Sequence, residues 1–434
     1  MKITDKLDKF PKALFKLLRT TTALAFFAGA FLLCSAFTPR LPRGVFVNGV
    51  DVGGLTRSCA ARVLRNAVEE GLNGKILRVY AGNRAYGYAF PEVYYADSFS
   101  EELDAITAKG EYFLPVFYYL NGAESVADYI CRSCERQVTE PYAVFNYDGE
   151  PFTYYEGNDG LSADKDKLLE DISLSLNGDW EDVYVGLSPV ERKQDMSAVK
   201  KRTVKLYSFT TYFDCSNVER TANIRLAASK LNGTVIGAGE RFSFNKAVGA
   251  RTEENGFRRA KIIEDGKFVL GIGGGVCQVS TTLYNAALLS GVEIVEYHPH
   301  SLAVSYVAPS RDAMVSGNYC DLQFVNNRKT PIYVRMKCIQ GSICCTVYGE
   351  SDGCDYSFVS EVVGTVPRPD DETVEGDEDK ILSYGKDGLK SCGYLVKERD
   401  GVQEITLIRK DSYLPVTGVK QVKRTDGEED ESAG

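Results

Sequence analysis

The stretch GIGGGVCQVSTTLYNAALLSG, residues 271–291, decides how the middle of this chain folds. From Cys277 onward its apolar residues recur near a 3.6-residue period, which predicts a helix that stops at Gly291. The preceding glycines, Gly273, Gly274 and Gly275, can adopt positive φ and turn backbone amides outward, as an anion-binding nest requires. A cysteine in the first turn of a helix lies at the positive end of the helix dipole, which lowers the thiol pKa and favours the nucleophilic thiolate.

The only two histidines of the chain, His298 and His300, follow a strand-like run at 292–297. Residues two apart share one face of a strand, so either imidazole is placed to serve the cysteine. In thiol enzymes a base activates the cysteine and an acid orients the base. The candidate catalytic residues are therefore Cys277 as nucleophile, His298 or His300 as base, and Asp312 as the orienting acid. Asp321 is an alternative acid, and Asn326 and Asn327 are weaker candidates for the orienting role.

Other interpretations of Cys277 stay open. A cysteine in a helix is commonly a small buried apolar residue, and glycines also permit close packing. A disulfide is a further possibility, although the twelve cysteines have irregular spacing that reveals no pairing. A zinc site with the two histidines lacks a known ligand spacing, and a nucleotide-binding loop would need a lysine after the glycines. We expect no metal and no cofactor.

Several further blocks surround this centre. They are RFSFN at 241–245, VG at 248–249, RT at 251–252, GF at 256–257, HPHS at 298–301, RDA at 311–313 and DL at 321–322. Together with GGGVCQVSTTLYNAAL at 273–288 they resemble the VanW family, named after accessory proteins of B-type vancomycin resistance clusters. Ser310 departs from the family pattern, because the resemblance implies glycine there.

The resemblance implies an α+β VanW domain at 208–350 and a role in the cell envelope. It does not establish a reaction, and glycopeptide resistance is linked to this chain only through the family name. The candidate ligand-binding residues within the matching blocks are Gly273, Gly274, Gly275, Gln278, Ser280, Thr281 and Arg311.

The N-terminus combines a basic segment at 1–19 with an uncharged apolar run at 20–38. Positive charge before an apolar run predicts a cytoplasmic N-terminus and an extracellular remainder. We expect 20–38 to be a transmembrane anchor, with a cleaved signal as the alternative, and hence a single-pass protein of the cell membrane. The formal net charge of -9 argues against a nucleic-acid partner.

Smaller modules are predicted on both sides of the central domain. Two α/β units are expected at 44–138 and 139–200, the first with a hairpin turn at Asn48-Gly49 and a helix capped by Thr56. The second unit resembles a peptidoglycan-binding module that often precedes VanW domains. Residues 355–424 resemble a small β module of the G5 type, in which the acidic segment 367–379 is expected to be a solvated loop. The polar tail 425–434 is expected to be disordered.

The fold class predicted from the sequence is therefore α+β: a transmembrane helix, an α/β repeat region, a central VanW domain and a C-terminal β module. The first functional hypothesis is binding of peptidoglycan or its precursors, motivated by the module order and the glycine nest. The alternative is a cysteine-dependent acyl-transferase or peptidase on cell-wall peptides. A third is a structural surface protein in which the glycine block serves packing alone.

Overall fold

The computed structural model describes residues 39–264, 267–317 and 319–424. The predicted anchor at 20–38, the basic segment 1–19 and the tail 425–434 lie outside these ranges. In the part of the chain that the structure describes, no helix is long and apolar enough to cross a membrane. The described chain mixes helices with a larger number of strands, so the α+β class is confirmed.

The α-helices of the described ranges are α1 (Arg57–Leu72), α2 (Phe99–Glu102), α3 (Ala123–Cys134), α4 (Lys165–Leu176), α5 (Met196–Lys201), α6 (Val218–Leu231), α7 (Phe244–Val248) and α8 (Val276–Leu289), with a 3-10 turn at Leu103–Ala105. The strands are β1 (Val45–Val47), β2 (Val50–Asp51), β3 (Leu77–Ala81), β4 (Arg84–Tyr88), β5 (Val93–Asp97), β6 (Gly110–Tyr112), β7 (Val116–Leu120), β8 (Tyr142–Phe145), β9 (Phe152–Tyr155), β10 (Gly160–Ala163), β11 (Val183–Tyr184), β12 (Leu187–Val190), β13 (Val204–Tyr212), β14 (Thr234–Ile236), β15 (Arg241–Ser243), β16 (Arg259–Glu264), β17 (Lys267–Ile272), β18 (Glu293–Glu296), β19 (Gln323–Val325), β20 (Ile332–Ile339), β21 (Ser342–Gly349), β22 (Asp355–Val366), β23 (Glu372–Gly376), β24 (Lys380–Ser383), β25 (Gly388–Arg399), β26 (Val402–Tyr413) and β27 (Val419–Lys423).

The described chain divides into two compact units. The first contains residues up to Val138 together with Asp159–Glu191. Its β1–β2 hairpin turns at Asn48 and Gly49, both at positive φ, as predicted from the Asn-Gly pair. The Thr56 side chain accepts a hydrogen bond from the Cys59 amide at the start of α1, a cap that stabilises a helix by about 1 kcal/mol.

The second unit contains Thr139–Asn158 and the chain from Arg192 onward. Residues 139–200, expected to form one unit, are divided between the two, because Asp159–Glu191 belongs to the first. Strands β8 and β9 belong to the second unit because their aromatic rings pack there. Phe145 and Phe152 each lie 5.1 Å, centroid to centroid, from Tyr333.

The core of the second unit forms between a four-stranded sheet and two helices. The sheet has the order β13-β21-β20-β14 with antiparallel neighbours throughout. Helices α6 and α8 cover it, and residues such as Leu283 of α8 and Ile343 of β21 are fully buried in this core. Each such side chain contributes about 1.5–3 kcal/mol through burial. This core fixes α8 at both ends and hence fixes the position of Cys277.

The C-terminal strands form two further sheets, β22-β25-β26 and β23-β27-β24. The expectation of a solvated loop across 367–379 was wrong in part, because this segment contains β23. Strand β23 pairs in parallel with β27, and Thr373 and Gly376 lie opposite Lys420 and Lys423. Most β23 side chains are exposed, so the strand needs no apolar face and its acidic composition does not indicate a strand. Pairing with β27 alone holds it in the sheet.

Candidate functional site

Cys277 has a singular position on α8. Every other residue of this helix is buried, whereas the Cys277 side chain is partly exposed. The helix begins after Gly275, which has φ 104° and provides no side-chain cap. The first turn therefore presents its amide dipoles and one thiol to the space beyond the helix.

The structure brings His300 and Asp312 to this thiol. His300 is in hydrogen-bonding contact with Cys277. On its other side, His300 Nδ1 lies 2.7 Å from Asp312 Oδ2, and the His300 amide donates to the same oxygen over 2.7 Å. Two bonds to one carboxylate oxygen fix both the backbone and the ring. His300 and Asp312 are almost fully buried, so water does not compete for the hydrogen bond between them.

The electrostatics favour an ion pair between the thiol and the imidazole. Burial raises the pKa of Cys277, but the hydrogen bond and charge of His300, with smaller contributions from the Val315 main chain and Arg251, bring it below the ordinary value. Burial lowers the pKa of His300, but its hydrogen bonds to Asp312 and Cys277 raise it to about 9. Burial likewise raises the pKa of Asp312, but the hydrogen bonds from His300 and Tyr413 and the charge of His300 together bring it below its ordinary value. The lowered pKa of Cys277 and the raised pKa of His300 both favour the thiolate–imidazolium pair over the neutral pair.

The second carboxylate oxygen of Asp312 is held from the C-terminal strands. Tyr413 donates its hydroxyl proton to Asp312 Oδ1 over 2.6 Å, and Arg409 lies 3.4 Å from the same oxygen. Arg409 also donates to the Asp312 carbonyl over 2.8 Å and pairs with Asp411 at 2.7 Å. All these groups are buried. An ionised carboxylate is tolerated in this setting because each of its oxygens is hydrogen-bonded.

Buried polar residues of α8 position the Asp312 loop. Ser280 donates to the Ala313 carbonyl over 2.6 Å, and Thr281 accepts from the Ala313 amide over 3.0 Å. Asn285 donates to the Arg311 carbonyl over 2.7 Å and accepts from the Arg311 side chain over 2.9 Å. These bonds tie the segment around Asp312 directly to the helix that carries Cys277.

Three of the residues predicted to bind ligand make contacts within the protein. Ser280 and Thr281 are fully buried and do not line the cavity, and Arg311 lies between the rings of Phe209 and Phe358. Their geometry is that of a scaffold. Gln278 does line the cavity, where its amide nitrogen donates to Thr211 and to the main chain of β13.

His298 lies apart from the thiol, although the sequence offered it as an equal choice of base. Its Nε2 is 2.9 Å from Glu296 Oε1, and its carbonyl accepts from the Met314 amide over 2.7 Å. Asp321, the alternative acid, accepts hydrogen bonds from Ser243 and from the Asn245 amide. Of these candidates, the structure brings together Cys277, His300 and Asp312.

A cavity of about 890 Å³ opens beside Cys277 and His300. The predicted glycines Gly273, Gly274 and Gly275 form part of its wall. Its volume lies at the upper end of the range for small-ligand sites, so the cavity can hold a ligand made of several linked residues. The polar wall residues include Tyr306, whose pKa is raised by burial and by the charge of Cys277 and lowered by a hydrogen bond to Thr281. Tyr306 thus remains a neutral hydroxyl donor close to the thiolate.

Sequence reasoning missed Tyr306, the wall residues Arg220 and Arg251, and the two supports Arg409 and Tyr413. Arg251 lies within the RT block at 251–252, so that block was a signal for it. Arg409 and Tyr413 are separated from Asp312 by 97 and 101 residues. No local spacing connects residues so far apart.

The fold and the site define a class: an α+β domain with a cysteine–histidine–aspartate cluster at the start of a buried helix. A family model described as "VanW like protein" matches residues 219–348. The "Uncharacterized protein YoaR" of Bacillus subtilis (strain 168) is 43% identical over 146 residues, 34% of this chain and 48% of that protein. The "Vancomycin B-type resistance protein VanW" of Enterococcus faecalis (strain ATCC 700802 / V583) is 30% identical over 129 residues, 28% of this chain and 46% of that protein.

Residues 219–348 thus form a VanW-like domain, which confirms the resemblance for this part of the chain. The chain spans about half the length of the curated relatives it matches. A solved structure, "Crystal structure of HP0197-G5", is similar at 17% identity over 16% of this chain and 93% of that chain, with a TM-score of 0.11. A score this low carries no fold assignment, so the G5-type module stays a prediction.

Proposed function

We propose that this protein is a cell-envelope thiol enzyme, an acyl-transferase or peptidase that acts on cell-wall peptides. One observation carries the proposal: a partly exposed Cys277 on an otherwise buried helix, paired with a His300 that Asp312 fixes from behind. A core cysteine needs neither an imidazolium partner nor a cavity. The proposed extracytoplasmic location follows the basic segment 1–19 and the apolar run 20–38.

The geometry supports a two-step acyl transfer. The Cys277 thiolate attacks a peptide carbonyl carbon, and the negative charge that develops on the carbonyl oxygen faces the first turn of α8 and the Tyr306 hydroxyl. The carbon–nitrogen bond then breaks, and His300 gives its proton to the leaving amine. In the second step, water or an amine, deprotonated by His300, attacks the thioester and releases the thiolate. Asp312 holds the ring and stabilises its positive form in both steps.

The cell-wall part of the proposal rests on the comparisons. One relative is called a vancomycin B-type resistance protein. The region that the family model matches, residues 219–348, contains the whole Cys277–His300–Asp312 cluster. The sequence resemblance of the second α/β unit to a peptidoglycan-binding module agrees with the same substrate.

The test is incubation of the full chain with muropeptides, followed by mass spectrometry of both protein and peptides. We expect an acyl adduct on Cys277 and altered muropeptides, with both lost in Cys277→Ala. Cys215→Ala is the matched control, because Cys215 is an exposed thiol outside the cavity. Unaltered muropeptides together with an unmodified Cys277 would contradict the enzyme proposal.

A second candidate is binding of peptidoglycan or its precursors without chemistry. It is favoured by the cavity wall, which carries arginine and lysine side chains and, among its described residues, no carboxylate. This candidate predicts that Cys277→Ala protein retains muropeptides as well as wild type does, while wild type leaves them unchanged. Failure of both proteins to retain muropeptides would exclude the binding candidate.

A further inference from the structure

The cavity beside Cys277 is positively charged on several sides. Four cationic residues belong to its wall: Arg220, Lys246, Arg251 and Lys261. Arg220 and Arg251 are half-buried, whereas the two lysines are exposed. Cations that have lost part of their hydration gain most from an anionic ligand, because water screens the interaction less there.

The glycine loop holds these two arginines close to the thiol. A Cβ added at Gly273 would lie 3.2 Å from Arg251 Cβ and 3.3 Å from its Cγ, and one added at Gly275 would lie 2.9 Å from Arg220 Cγ. The two arginine stems therefore pack against different glycines of the same loop. Glycine at these positions permits an approach that any side chain would obstruct. The charges of both arginines interact with that of Cys277.

Each guanidinium is oriented by a neutral partner. Arg220 donates to Gln278 Oε1 over 2.6 Å and lies over the ring of Phe213. Arg251 donates to Asn245 Oδ1 over 2.5 Å and lies over Phe244. Within the described ranges neither forms a salt bridge with a carboxylate.

Burial lowers the pKa of Arg251, and the charges of Cys277 and Asp321 raise it. Asp321 already accepts from Ser243 and from the Asn245 amide. The guanidinium donors that amides leave unused match the planar geometry of a carboxylate.

We propose that Arg220 and Arg251 form an anion subsite that binds a free carboxylate of the acyl donor, within one residue of the carbonyl attacked by Cys277. This role rests on the proposed function and names its substrate class: peptides whose terminal carboxylate lies next to the bond that is cleaved. Cys277 attacks the last peptide carbonyl, the carbon–nitrogen bond breaks, and the terminal amino acid leaves with a proton from His300. The remaining acyl group stays on sulfur until water or an amine takes it.

Two alkylating reagents test this subsite on the full chain. Iodoacetate and iodoacetamide place the same reacting carbon beside a carboxylate or a neutral amide, and both react with the thiolate. The ratio of the iodoacetate rate to the iodoacetamide rate is therefore independent of how much thiolate is present. We expect this ratio at Cys277 to exceed that at exposed Cys215 in the same molecule by about fivefold, the effect of about 1 kcal/mol of charge attraction.

Glutamine variants assign the effect to residues. Arg220→Gln and Arg251→Gln retain part of the stem that packs on the glycine loop, and each should lower the ratio about twofold to threefold. The double variant should reach the Cys215 value. Arg258→Gln is the control, because Arg258 is exposed, pairs with Glu219 at 3.1 Å and lies outside this cavity.

The outcomes separate the two proposals. Rapid labelling of Cys277 by iodoacetamide with no preference for iodoacetate, or a preference that the double variant retains, overturns the anion subsite and leaves the thiol enzyme standing. A Cys277 that resists both reagents below the ordinary thiol pKa of about 8.5 overturns the thiol enzyme and the subsite with it.

Discussion

Replacing Tyr413 by phenylalanine removes one hydroxyl from the support of Asp312 and leaves the ring in its packing. The hydroxyl donates to Asp312 Oδ1 over 2.6 Å and accepts from the Ser310 amide over 2.8 Å. Tyr413 is 1% exposed, so water cannot readily replace either bond. After the change, the nearest charged partner of Asp312 Oδ1 is Arg409 at the longer distance of 3.4 Å.

The expected loss of stability follows from those two bonds. A hydrogen bond to a charged group contributes about 1.5–3 kcal/mol, and an amide left unpaired in the core adds to the loss. No cavity larger than one oxygen forms, so no large packing cost accompanies the change. We expect the free energy of unfolding to fall by about 2–3 kcal/mol in chemical denaturation.

The Tyr413→Phe change should also lower the reactivity of the Cys277 thiol. The Tyr413 bond lowers the pKa of Asp312, and burial raises it. Without the bond the carboxylate binds its proton more readily and stabilises the His300 imidazolium less. The pKa of His300 then falls from about 9, and the Cys277 thiolate loses part of its counter-charge. If about 1 kcal/mol is transmitted, alkylation of Cys277 at mildly acid pH slows about fivefold.

The assay is the rate of Cys277 alkylation by iodoacetamide at graded pH, read by mass spectrometry. Tyr356→Phe is the matched control, because its hydroxyl donates to Asp352 over 2.7 Å at a place remote from the cavity. The control should lose some stability and keep the wild-type pH profile. A Tyr413→Phe protein with reduced stability and an unchanged profile would refute the proposed transmission through Asp312.

Three further perturbations separate the roles within the site. His300→Gln should slow iodoacetamide labelling of Cys277 at neutral pH more than tenfold by removing the imidazolium, whereas His298→Gln, which loses a contact to a glutamate instead, should leave the rate within twofold. In chemical denaturation, Gly275→Ala should lower the free energy of unfolding by about 2–4 kcal/mol, because φ is 104° and the added Cβ would meet side-chain atoms at 2.9 Å. Gly239→Ala is the control, because φ is +72° there and the Cβ would enter open space. It should lower the free energy of unfolding by only about 1–2 kcal/mol. Thioester formation, measured in single turnovers, should decrease as the pH falls below the lowered pKa of Cys277, which must be ionised, and decrease again as the pH rises through about 9, where His300 loses the proton that the leaving amine requires.

The sequence was most informative where the chemistry is local. The helix starting after Gly275 and the thiol in its first turn follow from glycine flexibility and apolar periodicity within 21 residues, 271–291. The choice between His298 and His300 did not follow, because residues two apart on an extended segment are equivalent until a neighbour distinguishes them. In the structure the neighbours make that distinction: the His300 ring contacts Asp312, and the His298 ring contacts Glu296.

The roles of the helical polar residues could not be read from the pattern either. A hydroxyl in a block with a glycine loop is compatible with ligand binding or with bonding to the main chain. Ser280 and Thr281 do the latter, because the Asp312 loop packs against the buried side of α8 and exposes main-chain groups that need partners. Ser310 shows the reverse situation: the resemblance implied glycine there, and the residue indeed has φ 60°. Its hydroxyl lies 2.7 Å from that of Ser391, a buried contact that glycine would not offer.

The supports from β26 explain why the site extends beyond the matched family region, which ends at residue 348. Five groups form a chain of alternating charge: the Cys277 thiolate, the His300 imidazolium, the Asp312 carboxylate, the Arg409 guanidinium and the Asp411 carboxylate. A buried charge is costly unless an opposite charge and hydrogen bonds satisfy it, so each member of the chain depends on its neighbours. Removing β26 would take away the hydrogen bonds that Tyr413 and Arg409 donate to Asp312 and leave His300 as its remaining charged partner. The C-terminal strands therefore contribute, through Asp312 and His300, to the charges that lower the pKa of the thiol.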